Sequence, residues 1–165
     1  MTLITETGTG SATAESLCDV ATSLTYHADR GNSTWATITT AQQEQALRRA
    51  TDYMHQVYKP RWQGMRVNNI QALDWPRVGV TANGYYVLST IVPVAVQRAC
   101  AELALKAAAG ELLSDTTQQK TRTKVGEIEV EYDKYSPQSP QFLAITALLQ
   151  PYFEQSAGIV HKVVR

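Results

Sequence analysis

The sequence predicts a mainly α fold: a small four-helix bundle with a short β strand or hairpin insertion and an extended C-terminal arm. Three observations carry that expectation. Apolar residues recur at helical spacing in four separate segments, one stretch near Ile128 alternates with period two, and the last residues follow a proline and a glycine. At 165 residues the chain fits one domain, able to bury ~70% of the surface its unfolded form exposes. The bundle is expected over residues 1–156 and the arm over 157–165.

The stretch from Thr5 to Ala14, rich in Gly, Thr and Ser, reads as an exposed opening loop. Asp19 then offers a carboxylate to the free N–H groups at the start of a short helix running to about Asp29. Leu17, Val20, Ala21, Leu24 and Ala28 share one face of it. Gly31-Asn32 ends it, since glycine takes the left-handed conformation that closes a helix. Thr39-Thr40-Ala41-Gln42 fits a capping box in which Thr39 caps and Gln42 reaches back; losing that cap would cost about 1 kcal/mol. The helix it opens buries Leu47, Ala50, Met54 and Val57 and stops before Pro60.

From Arg61 to Ile91 the chain reads as loop-rich, with Trp62, the Trp75-Pro76 pair and the Asn83-Gly84 turn signal. Two stretches, Leu73–Val80 and Val92–Ala99, couple an apolar anchor to a proline that fixes the backbone, which makes them positioning devices rather than catalytic motifs. Pro93 sits in the first turn of a helix running from Ala95 to about Leu113, with Val96, Ala99, Cys100, Leu103, Ala104 and Ala107 as its buried stripe. So many alanines permit close approach from several sides, and Gly110 weakens the helix near its end. After a polar connector, Ser114 to Thr123, the run Val125 to Tyr132 alternates apolar and acidic residues as a half-exposed strand does. Ser136-Pro137-Gln138-Ser139-Pro140 then turns the chain into a last helix, facing inward through Phe142, Ile145, Leu148, Leu149 and Tyr152.

Fifteen basic residues balance fifteen acidic ones, which removes the global field that marks a duplex-DNA binder. The distribution is uneven. Residues 1–47 hold Glu6, Glu15, Asp19, Asp29 and Glu44 against Arg30 alone; residues 48–100 hold Arg48, Arg49, Lys59, Arg61, Arg66, Arg77 and Arg98 against Asp52 and Asp74. A chain so divided can dock on copies of itself or show a local basic face to nucleic acid. Cys18 and Cys100, far apart and in apolar surroundings, are expected as buried free thiols. No leader and no apolar run of membrane-spanning length is evident, so the expectation is a soluble, intracellular product without membrane contact.

Nothing in the sequence asks for an enzyme or a cofactor. His27, His55 and His161 lack the spacing of metal ligands, and neither cysteine has an evident histidine partner. Gly8-Thr9-Gly10 lacks the preceding strand and following lysine of a phosphate loop. Glu127, Glu129 and Glu131 read as a solvated acidic strand face rather than an acid–base pair. The nucleic-acid signal is the run in which Arg48, Arg49, Lys59, Arg61 and Arg66 interleave with Tyr53, Tyr58 and Trp62, because single-strand binders combine cations for phosphates with rings for bases. The plainer reading has Tyr58 and Trp62 completing the helix core while the cations face solvent or a neighbouring subunit. The tail, Ile159, Val160, His161, Lys162, Val163, Val164 and Arg165, reads either as a loose terminus or as a strand that pairs with another chain.

Five segments in order, reaching almost to the final helix, carry a resemblance: Tyr26–Asn32 with Trp35, Ala46–Tyr53, Ala72–Val80, Val92–Ala99 with Glu102-Leu103-Ala104, and Lys124–Tyr132. In these the chain resembles the head–tail adaptor, or head-completion, proteins of tailed bacteriophages, some of which are described as DnaT-like single-stranded-DNA-binding proteins. The resemblance implies a helical bundle that joins a ring of twelve copies beneath the portal, in the neck of a virion assembled in the host cytoplasm. It implies the portal, a tail or tail-nozzle protein and further copies of itself as partners, with genome DNA passing the lumen without sequence-specific contact. Residues 159–165 would dock on the portal, and Glu127, Glu129 and Glu131 would line the channel. The reading kept beside it is a single-stranded-DNA-binding replication accessory protein that uses Arg48, Arg49, Lys59, Arg61, Trp62 and Arg66.

Overall fold

The computed structural model describes residues 2–113, 122–125, 128–131 and 142–154, the two short strand segments by their backbone. About half of the chain so described is helical. Five helices follow in order: α1 (Val20–Ala28), α2 (Ser33–Thr37), α3 (Thr40–Tyr58), α4 (Val94–Ala109) and α5 (Leu143–Leu149). The strands form three two-stranded antiparallel pairs: β1 (Met65–Arg66) with β2 (Arg77–Val78), β3 (Thr81–Ala82) with β4 (Tyr85–Tyr86), and β5 (Arg122–Val125) with β6 (Ile128–Glu131).

Both expected N-caps form. The Asp19 carboxylate accepts the Thr22 N–H at 2.7 Å to open α1. At α3, Thr39 Oγ1 accepts the Gln42 N–H while Gln42 Oε1 accepts the Thr39 N–H, closing the capping box. Pro93 is the N-cap of α4, which ends at Ala109 with Gly110 as its C-cap. The α3/α4 pair forms the centre of the core, and α1 and α5 both pack on α4. The alanine-rich α4 buries Ala99, Ala101, Ala104 and Ala107 together with Val96, Cys100 and Leu103, so neighbours approach its backbone closely on more than one side.

A regular four-helix bundle is not what these elements make. Only α3, with 19 residues, and α4, with 16, are long; α1 has nine, α5 seven and the unanticipated α2 five. The shorter helices patch the long pair instead of spanning it. The inward face of α1 also differs from the apolar one expected: Ser23 and His27 are buried, whereas Ala21 and Ala28 are exposed. Both buried polar groups are satisfied. Trp35 Nε1 donates to Ser23 Oγ at 3.1 Å, and His27 Nε2 lies 3.0 Å from the Ala101 carbonyl of α4.

Beyond α3 a turn of 3-10 helix (Lys59–Arg61) leads into an aromatic cluster. Trp62 packs on Phe153 with ring centroids 5.0 Å apart and on Trp75 at 5.5 Å. Backbone bonds fix this arrangement: Gln63 N–H to the Tyr152 carbonyl at 3.0 Å, and Glu154 N–H to the Arg61 carbonyl at 2.7 Å. The Leu73–Val80 stretch does act as a positioning device, through Arg77. Its buried guanidinium donates to the carbonyls of Gln63, Gly64 and Asp74 at 2.7, 2.6 and 3.1 Å, so one side chain pins two loops. Burial pulls the Arg77 pKa down from its ordinary value.

Candidate nucleic-acid interface

The cationic run divides when folded. Arg48 is engaged within the chain: its Nε and Nη2 donate to Glu15 at 3.1 and 2.9 Å, and Glu44 lies 3.9 Å from Nη1. The acidic N-terminal segment thus folds back on the basic middle of its own chain. Arg49 and Lys59, by contrast, are exposed, and with Asp52 and Gln56 they follow one another at three- and four-residue spacing along the outer side of α3 to its C-cap, Lys59. Arg49, Asp52, Tyr53 and Gln56 form one wall of a cleft of about 280 Å³ whose other wall is Ala107 and the chain from Gly110 to Leu113. Burial in that cleft raises the Asp52 pKa. Arg61 lies half-buried with its guanidinium 4.1 Å from the Phe153 ring centroid, and Arg66 donates once, to the Gln71 carbonyl at 2.9 Å.

The aromatic half of the run is not available to a ligand. Trp62 is 2% exposed, and Tyr53 and Tyr58 are buried as well. The Trp62 ring is hemmed in by Tyr58, Trp75 and Phe153. Its expected DNA contact is therefore corrected: Trp62 is a core residue, because segments distant in sequence converge on it. Sequence reasoning missed the exposed rings. Tyr85 and Tyr86, 79% and 86% exposed, form β4 of the β3/β4 hairpin, whose turn residues Asn83 and Gly84 have φ of 52° and 84°. The Asn-Gly signal marked the turn, but nothing in it says that the flanking tyrosines stay uncovered.

That hairpin is tied to the cationic corner. Gln63 Oε1 accepts the Thr81 N–H at 3.1 Å, while its Nε2 donates to the carbonyls of Pro151 and Phe153, both at 3.0 Å. Thr81 is in turn the register partner of Tyr86. Gln63 sits between Arg61 and Arg66 in the chain, so β3 hangs from the segment that carries these two cations.

The other expected sites resolve differently. The opening loop is not exposed throughout: the Glu6 carboxylate is buried and accepts the N–H groups of Gly8, Thr9 and Gly10 on one oxygen and that of Ser11 on the other, at 2.8 to 3.0 Å. Gly8-Thr9-Gly10 does gather amide groups around an anion, but the anion is the chain's own. Cys18 and Cys100 are free and buried, and burial raises both thiols. His55 Nδ1 approaches the buried Asp74 Oδ2 at 3.1 Å without hydrogen-bond alignment. Among the described residues no three His, Cys, Asp or Glu side chains group as around a metal ion, and no helix is long and apolar enough to cross a membrane. Glu129 and Glu131 stand in register opposite Lys124 and Arg122, so the acidic strand pairs with a basic one. Glu127 and the arm Ile159, Val160, His161, Lys162, Val163, Val164 and Arg165 lie outside the described residues.

Compared with known proteins, residues 1–165 match the model of the family described as "Putative DnaT-like ssDNA binding protein". No curated protein and no solved structure matches the chain. The family match overturns the expected virion adaptor. It favours the single-strand reading kept beside it, and lends no support to the ring, the portal or the tail partner.

Proposed function

Because the chain belongs to the DnaT-like ssDNA-binding family, we propose that it binds single-stranded DNA without sequence preference, as an accessory of replication that acts by binding alone. The family match across all 165 residues is the observation that carries this reading. The local charge layout supports it. Arg49 projects from α3, Lys59 caps its C-terminal end, and Arg61 and Arg66 bracket Gln63 just beyond it. Arg66 spends one donor on Gln71 and keeps the rest of its fork for a phosphate. With basic and acidic residues equal overall, no long-range field assists binding, so affinity rests on this corner and is readily screened.

Fluorescence anisotropy with a labelled oligonucleotide, repeated across a salt series, tests the reading. Four phosphate contacts from Arg49, Lys59, Arg61 and Arg66 give a slope of about −3 in log affinity against log salt. The double variant Arg49→Glu/Lys59→Glu is expected to weaken binding and flatten that slope. An oligonucleotide left unbound by the wild-type chain at low salt overturns the reading.

A further inference from the structure

Resting on that reading, we infer that Tyr85 and Tyr86 are the base-stacking residues, and that the β3/β4 hairpin is where unpaired bases meet the protein. Single-strand binding needs π-faces as well as cations, and the rings nearest the cations in sequence are committed to the core: Tyr53, Tyr58 and Trp62 are each at most 6% exposed. Among the described residues the exposed aromatic side chains are Tyr85 and Tyr86. Neither belongs to the hydrophobic core or to the residues packed against it, and neither hydroxyl makes a hydrogen bond within the described fold. Among the described residues the core makes no use of these rings.

Their placement suits the task. Consecutive strand residues point to opposite faces, so the ribbon offers a base one ring on either side. The Asn83-Gly84 turn, with both residues in the left-handed region, matches the twist of a tight hairpin and holds the rings in a defined orientation. Tyrosine has few rotatable bonds to freeze on contact, which keeps stacking entropically inexpensive. At its base the ribbon hangs from Gln63, flanked in sequence by Arg61 and Arg66. A strand whose phosphates lie against those cations therefore brings its bases toward β4. The acidic groups near this corner do not stand on the ribbon: Asp74 is buried against His55, and Glu154 follows the Phe153 bridge to Trp62.

The experiment compares two labelled oligonucleotides of about twenty nucleotides, oligothymidylate and its abasic counterpart, which keeps the phosphates and lacks the bases. The protein is used full-length as wild type, Tyr85→Ser/Tyr86→Ser and Tyr85→Phe/Tyr86→Phe, with circular dichroism confirming each fold. Wild type is expected to prefer oligothymidylate. The serine variant is expected to bind it about tenfold or more weakly, to lose the preference, and to keep the wild-type salt slope, because no charge is removed. The phenylalanine variant, retaining both π-faces, is expected to behave as wild type. A serine variant that keeps wild-type affinity and preference overturns the inference while leaving single-strand binding in place. A serine variant weakened equally on both oligonucleotides also overturns it, since that reports displaced cations. If wild type binds neither oligonucleotide, the underlying reading falls and takes this inference with it.

Discussion

Arg48 donates through both Nε and Nη2 to a single oxygen of Glu15, thirty-three residues earlier in the chain. The bond fastens the N-terminal segment to α3 and keeps the Glu15 carboxyl below its ordinary value of 4.5, the hydrogen bond from Arg48 being the main cause. A carboxylate with a depressed folded-state pKa adds stability above its unfolded value, and that stability is lost as pH falls through the folded value. Wild type should therefore lose part of its urea resistance on acidification below about pH 4.5. Arg48→Met lacks this component, and its stability should fall less steeply across the same range. Equal slopes for both proteins would show that the pair contributes nothing.

Glu6→Ala leaves four amide N–H groups of the opening loop without their shared acceptor. Two of these groups are buried, so a loss of roughly 3 kcal/mol is expected. Glu6→Gln should lose less, because its carbonyl still serves one side of the loop while its amide faces a donor on the other. Urea unfolding of the three proteins ranks them; an unchanged midpoint for the alanine variant contradicts the account.

Arg77→Lys exchanges a planar fork for a single ammonium. One lysine cannot reach the carbonyls of Gln63, Gly64 and Asp74 in the directions the guanidinium does. A loss of about 2 kcal/mol is expected, read as a lower melting temperature by circular dichroism. The same variant should weaken single-strand binding as well, since the loop it releases carries Gln63 and thereby the hairpin.

Trp62→Phe separates a core role from a stacking role. A phenylalanine fills the site less completely among Tyr58, Trp75 and Phe153, and about 1–2 kcal/mol of stability should go. Oligonucleotide affinity should stay at the wild-type level. A stability-neutral variant that loses affinity would return Trp62 to the interface.

What could be read from the sequence was mostly what is decided within a turn or two of chain. The Asp19 and Thr39 caps, the α4 stripe and the Asn83-Gly84 turn each depend on residues a few positions apart, and each is present. Long-range partners hid the rest. Ser23 and His27 turn inward because Trp35 and the Ala101 carbonyl receive them, twelve and seventy-four residues away. The apolar pattern of α1 therefore named its face only in part: Leu17, Val20 and Leu24 meet the core, whereas Ala21 and Ala28 do not. At five residues α2 is too short to show a period, and it carries no side-chain cap hydrogen bond to announce it.

The candidate site shows the same division. Its exposed cations were legible because charges at helical spacing have few places to go but outward. Its rings were not: Trp62 is covered by Phe153 from the far end of the chain, whereas Tyr85 and Tyr86 stay exposed among the described residues. The splitting of charge between the N-terminal third and the middle was visible, yet its use was local, as the Glu15–Arg48 contact shows.

Two-residue strands have a consequence for the chain's life among its copies. Tyr85, Tyr86 and Leu88 set oily side chains in water, which on a long flat edge would invite a neighbour to extend the ladder. Here β3 and β4 are two residues each and Gln63 already takes the outward Thr81 N–H, so what remains is too brief a template for another backbone to zip onto. The rings thus stand in water on a ribbon too short to serve as a pairing edge.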